Sequence, residues 1–163
     1  MAAPPVSDSA WAPGSVRGKT SSTTDLHQKE RPSMMQHISA VTFAVRAMPE
    51  ALTFYTALGF TLVFGGPQSP FSTLQAGEAF VNLTVAPTYT PAWWGRTIFR
   101  VHEVDALYQR VCAQGLMPAA PPQNARWGER YFHLTDPNGH ELSFAQRLPA
   151  PGGDVPSPAA SAC

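Results

Sequence analysis

Residues 40–60 read AVTFAVRAMPEALTFYTALGF, and residues 96–116 read RTIFRVHEVDALYQRVCAQGL. The second stretch repeats the pattern of the first at a constant offset of 56 residues. Phe43 matches Phe99, Val45 matches Val101 and Gly59 matches Gly115. Apolar residues at helical spacing repeat as well: Met48, Ala51, Leu52 and Tyr55 in the first copy, Val104, Leu107, Tyr108 and Val111 in the second. A fixed internal period means that one supersecondary unit occurs twice.

Each copy opens on alternation, with Val41, Phe43 and Val45 in the first and Thr97, Phe99 and Val101 in the second. That spacing predicts a strand with one face packed on a helix. The helix that follows stops near Gly59 or Gly115, since a glycine just past the last turn accepts the left-handed backbone that ends a helix. Further strands are expected at FTLVFG (60–65), FSTLQA (71–76) and AFVNLTV (79–85), and in the second copy at LMPAA (116–120), RYFHLT (130–135) and HELSFAQ (140–146). The last two are joined by Asp136-Pro137-Asn138-Gly139, a strong turn signal. The reading is an α+β chain of two tandem βαβββ modules, 36–87 and 94–147, in one domain over 35–148. Residues 1–34 and 149–163 are rich in Ser, Pro and Ala without periodicity, and are expected to be disordered tails.

Charge narrows the partners. The whole chain has 11 Lys+Arg against 11 Asp+Glu. A neutral chain lacks the basic surface that phosphate backbones require, so nucleic acid is not an expected partner. No apolar run approaches the roughly 20 residues that span a bilayer, and the N-terminus has no signal-like apolar core. Both lysines, Lys19 and Lys29, precede the domain, which excludes Schiff-base chemistry by a lysine of the folded unit. With only Cys112 and Cys163 present, no disulfide framework is expected, which fits a reducing, cytoplasmic setting.

The stretches AVTFAV, ALTFYTALGF, TIFRVHEVDAL and WGERYFHLTDPNGHELSF resemble the vicinal oxygen chelate superfamily, of the glyoxalase/bleomycin-resistance type. The resemblance covers about 36–147, and its most specific part is the strand–DPNG–strand ending. It implies two βαβββ modules forming a curled mixed sheet around a cleft, commonly in a homodimer. In metal-dependent members four strand positions hold His or Glu ligands. Here those positions are Ala40, Asn82, Arg96 and Ser143. Alanine has no donor and arginine no lone pair to give, while asparagine and serine are weak neutral ligands. No metal and no cofactor are therefore expected.

Strand parity puts Ala40, Thr42 and Ala44 on the cleft side, with Phe80, Asn82 and Thr84, then Arg96, Ile98 and Arg100, and finally Tyr131, His133, Glu141 and Ser143. Such a mixture of apolar walls and few polar groups suits a small-ligand pocket. Arg96 is either an anion contact or a structural partner of Glu141. Asn82 contacts ligand or bonds across strands, and His133 is either a packing residue or an acid–base. His102 and His140 flank turns and are expected to be exposed. Trp93, Trp94 and Trp127 precede cleft strands; they stack on a planar ligand, plug the end of the sheet or form a dimer contact.

The expected ligand-binding set is thus Arg96, Asn82, Trp93, Trp94, Trp127, Tyr131, His133, Ser143, Thr42 and Arg100. The resemblance implies a metal-independent binder that sequesters a drug or aromatic metabolite. The alternative is a lyase, isomerase or dioxygenase-like enzyme of the same superfamily, with Glu141 or His133 as general base. A third reading is a non-catalytic regulatory module. The expected partners are a small organic ligand and a second copy of the chain.

Overall fold

The computed structural model describes residues 37–149. The expected tails fall outside these residues, Pro149 apart. The element order is β1 (Ala40–Val45), α1 (Met48–Ala57), β2 (Thr61–Phe64), β3 (Phe71–Ala76), β4 (Ala79–Val85), then β5 (Arg96–Arg100), α2 (Val104–Ala113), β6 (Gln123–Asn124), β7 (Glu129–Thr135) and β8 (Glu141–Arg147). Both helices begin and end at the same offset of 56 that relates the sequences. The βαβββ unit therefore occurs twice, as the repeat predicts.

Each module forms one four-stranded mixed sheet. The orders are β1-β4-β3-β2 and β5-β8-β7-β6, with the first strand of each module parallel to its last. Thr42 lies in register with Asn82, and Arg96 with Glu141. The expected strand over LMPAA does not form: in its place β6 is a two-residue strand at Gln123–Asn124. Pro118, Pro121 and Pro122 bring no N–H to a ladder, and a single bond from Ala119 N to His133 O is what remains there.

The helices pack as their spacing predicts. Met48, Ala51, Leu52 and Tyr55 of α1 are buried, as are Val104, Tyr108 and Val111 of α2. They join Phe43, Val45, Val81 and Leu83 of the first sheet and Phe132, Leu134, Leu142 and Phe144 of the second in one apolar core. Pro49 sits in the first turn of α1, where its missing N–H costs no bond. The Val104 N–H, an orphan at the start of α2, donates to Gln146 Oε1 of β8 at 2.9 Å.

The β7–β8 turn fastens the modules together. Asp136 Oδ1 accepts the backbone N–H groups of Asn138 and His140, which shapes the turn. Tyr55 Oη of α1 then donates to Asp136 Oδ2 at 3.1 Å, and Arg46 N donates to Asn138 Oδ1 at 2.8 Å. His140 corrects the expectation of exposure: it is 3% exposed. Its ring stacks on Phe43 and Tyr89, and Nε2 lies 2.8 Å from the Ala44 carbonyl. A residue next to a turn is exposed only where the turn meets solvent, and this turn is inserted against the other module. Cys112 is disulfide-bonded, which corrects the expectation for the cysteines. Sequence spacing does not set distance in a fold, and the argument from the cysteines to a reducing compartment falls with it.

Candidate functional site

Alternation leaves each sheet with one face on the core and one open. On the first sheet the open face holds Thr42 of β1, Phe71 and Thr73 of β3, and Phe80 and Asn82 of β4. Thr73 Oγ1 donates to Asn82 Oδ1 at 2.9 Å, and Asn82 Nδ2 donates to Thr42 Oγ1 at 3.4 Å. Three strands are thereby joined by a line of neutral side chains. Phe64 of β2 lies against Phe71, with ring centroids 6.4 Å apart, and is the most exposed of the phenylalanines there, at 65%.

The open face of the second sheet is charged. Arg96 donates from Nε and Nη2 to Glu141 Oε2 at 3.1 and 2.7 Å, and its Nη1 lies 2.9 Å from His133 Nε2. A guanidinium fork suits this two-pronged pairing. Arg100 Nη2 donates to Glu129 Oε1 at 2.6 Å. Glu129 Oε2 in turn accepts the indole N–H of Trp127 at 3.1 Å, and the Trp127 ring stacks on Tyr131 at 5.9 Å between centroids. Gln123 Nε2 donates to Tyr131 Oη at 3.0 Å.

The structure thus brings Arg96, Glu141 and His133 together, and separately Arg100, Trp127 and Tyr131. Thr42 and Asn82 stand on the other sheet. Ser143 shares a cross-strand row with Ile98 and His133 and is buried at 3%. Trp93 and Trp94 are both exposed, at 64% and 55%, and Trp94 also reaches the fastening between modules, donating from Nε1 to His140 Nδ1 at 3.3 Å and packing on Phe43. Residues that sequence reasoning passed over are Phe64, Phe71, Thr73, Gln123 and Glu129. Parity extended to β3 would have found Phe71 and Thr73. Glu129 carried no signal, because its pairing with Arg100 and Trp127 depends on the sheet being assembled.

An open groove of about 540 Å³ lies between the modules. Leu58, Phe60 and Leu107 give it apolar walls, and Ile98 and Arg100 reach it from the second sheet's open face. Its size falls in the range usual for small-molecule sites.

The family's metal positions do not suit a divalent ion. Ala40 offers no donor, Arg96 is a cation already paired with Glu141, and Ser143 and Asn82 are neutral. Among the described residues no three His, Cys, Asp or Glu side chains group so as to hold an ion. Nor, among them, is any helix long and apolar enough to cross a membrane.

Comparison with known proteins agrees with the geometry. The profile of the Glyoxalase/Bleomycin resistance protein/Dioxygenase superfamily matches residues 36–144. Among solved structures, the chain is similar to a bleomycin resistance determinant encoded on the transposon Tn5, with 23% identity, a TM-score of 0.59, and coverage of 69% of this chain and 98% of that one. A bleomycin-binding protein complexed with bleomycin gives 23% identity and a TM-score of 0.58 over 69% and 99% of the two chains. Lactoylglutathione lyase from Agrobacterium tumefaciens gives 17% and 0.58 over 69% and 95%. At these identities the likeness is one of fold. No curated protein matches the chain.

Proposed function

Because the chain belongs to the glyoxalase/bleomycin resistance protein/dioxygenase superfamily, we propose that it binds a small, partly aromatic organic molecule in a cleft between modules, without a metal and without altering it. The observation that supports this reading best is the groove of about 540 Å³ between the modules, apolar in its walls and met by the second sheet's open face. Trp127 stacked on Tyr131 supplies a flat aromatic surface beside the paired Arg100. The side chains proposed for catalysis, Glu141 and His133, are both engaged by Arg96, which favours a binding surface over an acid–base pair. Sequestration of a drug or metabolite is the activity that such a site serves.

The cleft we propose has a second wall, supplied by the open face of the first module in a second copy of the chain. Exposed Leu62, Val63 and Phe64 on the edge strand β2 leave apolar surface that a closed two-fold pairing would cover. Sedimentation at micromolar concentration is expected to give about twice the chain mass; a monomer throughout that range contradicts the paired cleft.

The binding claim is tested by screening planar organic compounds by native mass spectrometry and following each hit by calorimetry. Trp127→Ala is expected to weaken a true ligand by about 1 kcal/mol or more. Unchanged affinity in that variant moves the site elsewhere.

A further inference from the structure

We infer that the ligand is uncharged and presents an amide-like edge, one donor beside one acceptor, to the line Thr42–Asn82–Thr73. This rests on the reading that the first sheet's open face is a wall of the binding cleft. Three observations lead to it. No charged residue occupies an outward position of β1, β3 or β4. Three of the polar groups that do stand there form a directed chain, Thr73 to Asn82 to Thr42, while Gln75 and Thr84 lie outside it, Gln75 Nε2 donating to the Gly77 carbonyl. That chain leaves one Asn82 N–H, the Thr42 hydroxyl hydrogen and the Thr73 lone pairs to a ligand, which is a mixed set of donors and acceptors without net charge. Exposed Phe64, Phe71 and Phe80 flank it.

A charged ligand pressed against these three strands loses hydration and meets no counter-charge on them. The opposite wall does not supply one either. Arg96 holds Glu141, and Arg100 holds Glu129, which also lies in register with Arg147 at the end of β8. To capture a ligand's acid or base, one of these pairs must first open. A neutral planar amide asks for no such opening. Its ring lies against the phenylalanines, and its C=O and N–H meet Asn82 and its two threonine neighbours.

The test uses the full-length protein and three probes on one ring system: naphthamide, naphthoate and naphthylmethylammonium. Calorimetry is expected to rank the amide first by about tenfold, the scale of one well-formed neutral hydrogen bond with the charge penalty on its rivals. Asn82→Leu and Thr73→Val are expected to remove that preference while leaving some binding to the ring. An equal or tighter fit of either charged probe overturns the inference, as does an amide preference that survives in both variants. If the wild type binds none of the three, the first sheet's open face is not a binding wall, and the underlying reading fails together with this one.

Discussion

The Tyr55 hydroxyl donates to Asp136 Oδ2 at 3.1 Å, joining a helix of the first module to the terminal turn of the second. Both residues are almost wholly buried, and the same carboxylate shapes the turn through two backbone N–H groups. Loss of the hydroxyl therefore leaves a buried oxygen short of a donor. Tyr55→Phe is expected to cost about 1–3 kcal/mol in urea unfolding.

The same pair predicts a weakness to alkali. Burial first, and the neighbouring Asp136 charge second, push the Tyr55 phenol far above its ordinary value of 10.0. Above that value the unfolded chain releases the proton that the folded chain keeps. The contribution is thus fully present below pH 10.0 and declines as pH rises, by up to about 1.4 kcal/mol per unit. Urea midpoints at about pH 9 and about pH 11 should fall less for Tyr55→Phe than for the wild type. Equal falls in the two proteins would show that Tyr55 titrates no differently when folded.

Gly139 has φ +90°, and a Cβ there would meet Pro91 Cβ at 2.6 Å. Gly139→Ala combines left-handed strain with a clash against a stiff ring. A loss of about 1–3 kcal/mol is expected, visible as a lower melting temperature.

Much of the fold was legible because the unit is duplicated. The offset of 56 fixed two strands and two helices, and parity then assigned the faces correctly: Phe43 and Val45 are buried, while Thr42 and Asn82 lie on the open side. What stayed hidden depends on contacts between modules. His140 reads as an exposed turn neighbour until the turn is seen inserted beside Phe43, and the bond that Trp94 donates to it has no signal in the sequence. The strand expected over LMPAA does not form because Pro118 within the run, and Pro121 and Pro122 after it, bring no N–H to a ladder. The pairing of Arg96 with Glu141 stood among the alternatives, and the register of β5 on β8 realises it.

Arg96 and Glu141 are each about one-third exposed, at 35% and 33%, so solvent screens much of their attraction. Arg96→Ala is expected to change stability by less than about 1 kcal/mol. Binding of a ligand that leans on the Arg96–His133 contact should weaken by about 1–3 kcal/mol. A stability loss as large as the binding loss would make Arg96 a structural residue only.

The donor set at Ala40, Asn82, Arg96 and Ser143 predicts no stoichiometric Zn, Ni, Mn or Fe in the purified protein. Elemental analysis giving about one metal per chain, lost in Ser143→Ala or Asn82→Ala, contradicts this.

On the proposed function, the protein holds its ligand and leaves it unchanged. The most direct measurement incubates the protein, stripped of metal by chelation, with a compound it binds, then releases the compound and compares its mass with the starting material. A stoichiometric complex is expected, with the compound recovered at its original mass in full amount. Product accumulating beyond one equivalent per chain would contradict it and make the protein an enzyme.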